Sequence, residues 1–327
     1  MSPDLRADGF PFFPSVFLAG APRCGTTSIA KLLSRHPEVC FSRPKEVNYF
    51  GRVPAEALGQ IQRDYLDRYF FHHDPQRHRV VAEGSVSYLY DPEALALINA
   101  IQPQARFIVA VRNPIEMLRS YHFRLLYLLE EDEDDFEAAW GLQDARARGE
   151  RIPRHCADPR RLRYREVARL GTYVERLVEL AGRDRCHIVV AEDMWSDPVA
   201  ACDRLLRFCG VSADLSQFPE IENDNPFPHR FKSRTYRWRW LQRLLYKPPT
   251  GVLTAATRSE VRRGVRPAKI KGIHKRLARF NWVKRKPSAL RPGFRDQLAR
   301  ELDEEVRKLE VMLGRTLGVW RQGAERQ

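Results

Sequence analysis

The chain has 327 residues, 43% of them hydrophobic, with 56 Lys and Arg against 42 Asp and Glu for a formal charge of +14. Its 17 Phe, 11 Tyr and 6 Trp supply the apolar area that offsets ordering entropy, which excludes a disordered low-complexity chain, and the composition likewise excludes collagen, a coiled coil and a disulfide scaffold. No run approaches the roughly 18 apolar residues of a membrane-spanning helix, and the opening MSPDLRADGFPFFPS lacks the apolar stretch of a secretory signal, so a cytoplasmic protein without a transmembrane segment is expected.

In chain order, residues 15–20 (SVFLAG) read as a short apolar strand entering a turn, and Thr26–Ser34 has apolar residues at helical spacing. VCF at 39–41 is a second strand, followed by Pro44, and residues 60–70 read as an amphipathic helix. VVAEGS (80–85) is a third strand, and PEALALINAI (92–101) a helix with proline in its first turn. FIVAV (107–111) is the clearest buried strand, with a helix over 115–129 behind it. The acidic run Glu130–Asp135 reads as a solvated loop or helix end. CHIVVAE (186–192) is a further strand, and the helix over 197–210 closes at Gly210. Near-continuously apolar strands separated by helices predict an α/β fold, a parallel sheet with helices on both faces. In such sheets ligands gather at the carboxyl ends of the strands.

Charge is uneven along this order. From His229 to Arg291 there are 20 basic residues and one acid, Glu260, a net +19, while the remainder carries 36 basic and 41 acidic residues. A near-neutral body with one basic segment points to an anionic partner. Within that segment Phe280 and Trp282 read as the packing face of a helix. The six cysteines, Cys24, Cys40, Cys156, Cys186, Cys202 and Cys209, show no CxxC pair, which fits reduced, mostly buried thiols and no zinc site.

Three segments after strands carry chemistry. The first strand ends in Gly20-Ala21-Pro22-Arg23-Cys24-Gly25-Thr26-Thr27-Ser28 and runs straight into a helix. A glycine-bearing turn at a helix N-terminus cradles anions, because free N–H groups converge there and the helix dipole adds positive charge. A nucleoside-triphosphate P-loop would place Lys where Thr26 stands; Arg23 is the nearest cation, and Thr26 and Thr27 bring hydroxyls. RPKEVNYF (43–50) sets Lys45 beside Glu46, a carboxylate suited to general-base work. After FIVAV, the segment VRNPIEMLRSYHF (111–123) presents Arg112 at the strand end and Ser120 about two turns into the helix, a pair that can hold a phosphate by charge-assisted bonds. His122 reads as a packed helix residue.

Together these segments resemble the sulfotransferases that use 3′-phosphoadenosine 5′-phosphosulfate (PAPS). GAPRCGTTSIAKLLSRHPEV resembles the family's 5′-phosphosulfate loop and following helix, VRNPIEMLRSY its 3′-phosphate motif, and KEVNYF the acidic loop of heparan-sulfate-type and related bacterial members. EGSVSYLYDP (83–92) and LGRTLGVW (313–320) are similar to further family segments. Two positions depart from that pattern: Arg23 stands where heparan-type members usually have Lys, and Asn48 where they have His.

The resemblance implies a single sulfotransferase domain over 1–327, with a P-loop-type core at 15–210, a basic insertion at 211–291 and a C-terminal helix and tail at 292–327. It implies in-line sulfuryl transfer from PAPS, without a metal, to a hydroxyl or amine of a glycan or secondary metabolite. Glu46 would be the base, with Lys45 and Arg23 assisting. Arg23, Cys24, Gly25, Thr26, Thr27 and Ser28 would hold the 5′ end of the donor. Arg112 and Ser120 would hold its 3′-phosphate, with Lys232, Ser233 and Arg234 closing over it. Two other readings of the residues stand beside this one. A nucleotide kinase would use the same cradle, and a nucleic-acid-binding protein would use the basic segment; nucleic acid is not the expected partner.

Overall fold

Five strands hydrogen-bond in the order β2-β3-β1-β4-β5: β1 (Val16–Gly20), β2 (Val39–Phe41), β3 (Val80–Gly84), β4 (Arg106–Val111) and β5 (Cys186–Val190). Every pairing is parallel, with Val16 opposite Ala82 on one side and Arg106 on the other. This computed structural model describes residues 12–52, 65–214, 234–236, 238, 281–284 and 289–320.

The helices are α1 (Thr26–Arg35), α2 (Pro92–Ile101), α3 (Pro114–Leu128), α4 (Phe136–Gly141), α5 (Gln143–Ala147), α6 (Tyr164–Val167), α7 (Leu170–Ala181), α8 (Ala191–Ser196), α9 (Pro198–Cys209), α10 (Pro292–Glu301) and α11 (Asp303–Leu313). All five residues of β1 and of β3 are buried, as are five of six in β4, so both faces of the sheet are covered, as its unbroken apolar strands require. The α/β sheet expected from the sequence is the one present. Local signals set the helix ends: Asp91 and Asp197 cap α2 and α9 by accepting the Ala94 and Ala200 amides at 3.0 Å, each with proline at the first turn. Gly210, with φ of 77°, closes α9.

Two compact units are distinguished. One lies within Met1–Leu118, Tyr164–Arg230 and Leu290–Gln327 and contains the five-stranded sheet; the other lies within Arg119–Arg163 and Phe231–Ala289. In the second unit β6 (Arg234–Tyr236) pairs antiparallel with β7 (Trp282–Lys284). Among the described residues no helix is long and apolar enough to cross a membrane.

Three expectations need correction. The strand expected to reach residue 192 ends at Val190, and α8 begins at Ala191; an apolar run that continues into a helix's first turn hides the junction. Trp282, read as helical, lies in β7. The acidic run is not simply solvated: Glu130 and Glu131 are buried. Arg146 donates to both oxygens of Glu131 at 2.6 and 2.7 Å, and Arg161 donates to Glu130 at 2.6 Å, so two of the six acids pair with arginines, Arg146 buried and Arg161 half-buried. His122 is buried and packs on the Phe136 ring at 5.4 Å, as expected. The helix expected at 60–70 is helical over 65–69, its earlier part lying outside the described residues.

Candidate active site

The centre of the sheet positions the first anion seat. β1 lies between β3 and β4, the point from which the chain order runs outward in both directions, where open sheets leave a crevice at their carboxyl edge. Past Gly20 the chain stays tied to β4, since the Ala21 amide donates to the Ala110 carbonyl at 2.8 Å. It then turns through Arg23 and Gly25, both at positive φ (64° and 90°), and enters α1. Among the described residues no side chain caps α1 and no acid stands in its first turn, so its positive end is not neutralised there, although the Ser28 amide donates to the Gly25 carbonyl at 2.9 Å. Gly25 is required by its φ; a Cβ there would also come 2.5 Å from Met194 Cε and displace that flexible end. Arg23 and Thr27 are exposed, Ser28 is half-buried and Thr26 is buried. Cys24 is fully buried, its Sγ donating to the Pro22 carbonyl at 3.4 Å, and burial drives its thiol pKa far up. It is a neutral packing group and not a nucleophile.

The second seat is at the end of the neighbouring strand. Arg112 follows β4, is buried, and lies over the indole ring of Trp195 at 4.9 Å. Asn113 caps α3, accepting the Ile115 amide at 3.0 Å, while its own amide donates to Glu192 Oε1 at 3.1 Å. The other Glu192 oxygen is buried without a hydrogen bond, and burial raises the pKa of this carboxyl. Met194, Glu192 and Trp195 of α8 thus buttress Gly25, Asn113 and Arg112 respectively. None of the three was singled out in the sequence; an acid directly after an apolar strand was the available signal.

The acidic loop follows β2. Lys45 and Glu46 form an ion pair, Glu46 Oε2 accepts the Val86 amide at 3.0 Å, and the Glu46 amide donates to the Gly84 carbonyl at 2.7 Å. The loop is thereby fastened to the end of β3, which neighbours β1. Gly84 leaves room for the Phe41 ring, which a Cβ there would approach to 2.6 Å, while the Lys45 stem would lie at an ordinary contact distance of 3.5 Å. Glu46 and Asn48 both hold positive φ, at 68° and 51°. Beneath them Glu83 is completely buried, a further residue the sequence reading passed over although a charge inside an apolar strand marks it.

The residues at 23–28, Arg112, and the Lys45–Glu46 pair therefore all stand at the carboxyl edge of one sheet. Ser120 is buried on α3, beyond the division between the two units at Leu118/Arg119. Lys232 and Ser233 lie outside the described residues, and of Arg234 only the backbone, opening β6, is described.

A parallel sheet with a glycine turn and an uncapped helix N-terminus at its central strand defines an α/β protein with the kind of loop that attracts phosphate-like anions. Its family is specific: the sulfotransferase-domain profile matches residues 13–233, and the chain belongs to that family of group-transfer enzymes. Human carbohydrate sulfotransferase 15 is 28% identical over 154 residues, taking in 33% of this chain and 26% of that protein. The membrane-associated sulfotransferase kil1 of Dictyostelium discoideum is 23% identical over 117 residues, 35% of this chain and 24% of its own. The matches thus span about a quarter of those two relatives. A sulfotransferase from Alicyclobacillus acidocaldarius shares the fold with a TM-score of 0.63 at 21% identity, over 95% of this chain and 100% of that one.

Proposed function

We propose that the protein moves a sulfuryl group from PAPS to a hydroxyl or amine of a carbohydrate or small hydroxylated metabolite. One observation carries this reading: a bare helix N-terminus and a buried, ring-backed arginine stand at the ends of adjacent strands. Two separate anion seats suit a donor charged at both its 5′ and 3′ positions, and family membership supports sulfuryl chemistry. The name of the human relative supports a carbohydrate acceptor.

In this reading Arg23, the amides of residues 24–28 and the hydroxyls of Thr26 and Thr27 grip the 5′-phosphosulfate. Arg112 and Ser120 hold the 3′-phosphate, and Lys232, Ser233 and Arg234 of the basic segment complete that grip. The acceptor oxygen or nitrogen attacks sulfur in line. A bond from sulfur to the acceptor forms while the bond to the 5′-phosphate oxygen breaks, its electron pair leaving with the bisphosphate. Arg23 and the α1 amides meet the charge that grows on that oxygen. Glu46 takes the acceptor proton; its second oxygen, held by the Val86 amide, fixes the direction of the first. Lys45, ion-paired with Glu46, neutralises the charge of the transferring group. All six cysteines are free, which supports a reducing, cytoplasmic setting; cell fractionation tests it.

Transfer of labelled sulfate from PAPS into pooled glycans and small hydroxylated metabolites is the direct test. PAPS-dependent product is expected, and its absence across both pools would overturn the acceptor assignment. With an acceptor in hand, Glu46→Gln is expected to lower kcat by about a hundredfold or more with the donor KM unmoved. A fully active variant removes Glu46 as the base.

A further inference from the structure

Among the described residues Glu83 is the most deeply buried acid of the sheet-bearing unit, and the proposed chemistry gives it no task. It stands on β3 with no exposed surface, among Tyr65, Ser85 and Tyr88, which are equally enclosed. Its surroundings oppose its charge: burial is the first cause raising its pKa, and hydrogen bonds from Ser85, Tyr65 and Tyr88 pull it back down. Such a group is retained at a cost in stability, so what it organises matters.

A hydroxyl has one proton to give and two lone pairs to receive with. The Tyr88 oxygen accepts the amides of Tyr49 at 2.9 Å and Phe50 at 3.4 Å, which leaves its proton for the Glu83 and Ser85 oxygens beside it. The Ser85 oxygen accepts the Asn48 amide at 2.9 Å, and its proton goes to Glu83 Oε1 at 2.6 Å. Tyr65 donates to Oε2. One acceptor-only group therefore turns the lone pairs of Ser85 and Tyr88 toward three successive amides of the acidic loop. Those amides belong to the segment that holds Glu46 and Asn48 in the left-handed region, a backbone that persists only where neighbours impose it.

We propose that Glu83 is a positioning residue for the reaction: by receiving the hydroxyl protons of Ser85 and Tyr88 it fixes the loop at Asn48, Tyr49 and Phe50 and so aims Glu46 at the acceptor. It touches neither substrate nor the transferring group. The inference rests on Glu46 being the base, and the experiment separates the two ideas.

Glu83→Gln keeps the shape but replaces one acceptor oxygen by a donor, so at least one hydroxyl loses its acceptor. Backbone hydrogen exchange, which needs no acceptor substrate, is expected to quicken about tenfold or more at Asn48, Tyr49 and Phe50 while β1 keeps its protection. Titration with 3′-phosphoadenosine 5′-phosphate is expected to give full stoichiometry and unchanged affinity, which excludes simple unfolding. With the acceptor the sulfation screen returns, kcat is expected to fall about tenfold or more, yet adding Glu83→Gln to Glu46→Gln costs nothing further, since residues acting as one unit are non-additive. Unchanged exchange at the three amides overturns the inference, and so do losses that multiply. A fully active Glu46→Gln overturns the base assignment instead, leaving the exchange result to decide whether Glu83 holds the loop. If Glu83→Gln does not fold, Ser85→Ala carries the same comparison at Asn48 alone.

Discussion

Gly25 is where the smallest change has the clearest consequence. Its φ of 90° and the 2.5 Å approach of Met194 Cε to a Cβ at that position impose separate penalties, one of backbone and one of space. Gly25→Ala is expected to weaken binding of 3′-phosphoadenosine 5′-phosphate by about tenfold or more, since an L-residue in that region costs about 1–3 kcal/mol and the loop must shift to shed it. Adding Met194→Ala removes only the collision, so calorimetric titration should show partial recovery. Complete recovery would mean that space alone dictates the glycine. The neighbouring Cys24 shows a limit of reading residue type: a cysteine inside an anion loop suggests reactivity, whereas full burial makes it a neutral packing group.

Among the elements, α8 joins the two anion seats within the sheet-bearing unit, with Met194 behind the loop and Trp195 behind Arg112. The Arg112 guanidinium stands over the Trp195 indole, 4.9 Å from the ring centroid, and such a contact is worth about 0.5–2 kcal/mol. Trp195→Leu is therefore expected to raise the KM for PAPS roughly threefold to tenfold. Adenosine 5′-phosphosulfate, which has no 3′-phosphate, should lose nothing; Trp195→Phe should recover most of the loss. Equal losses with both donors would tie Trp195 to the phosphosulfate end.

The strands that frame these seats were legible because burial on both faces writes a nearly unbroken apolar run, as in FIVAV and SVFLAG. The cradle was legible because a strand, a glycine and a helix start have one common geometry. What supports the cradle was not, since Glu83, Glu192 and Trp195 act through contacts between β3, β5–α8 and loops far away in sequence. The acidic run misled for the same reason: its partners Arg146 and Arg161 lie 15 and 31 residues further on.

For the molecule as a whole, stability responds to pH through the buried histidines. His187 on β5 stacks on Phe208 at 5.0 Å, and burial first, then Arg204 and Arg183, push its pKa down to about 4. In the unfolded chain the same ring protonates near pH 6.5. Between those values the unfolded state binds more protons than the folded one, so stability is fully present above about pH 6.5 and is lost as pH falls toward 4. For His187 the whole loss is at most about 3 kcal/mol. His36 and His122 are also lowered, chiefly by burial, and add slope of the same sign. His187→Gln sacrifices the stacking contact, so it is expected to be less stable than the parent at pH 7.5, but it carries no proton to take up. Urea unfolding at pH 7.5, 6 and 5 should therefore show the deficit of the variant shrinking as the solution is acidified. A constant deficit would mean that His187 titrates alike in both states and that the acid sensitivity arises at the other buried histidines.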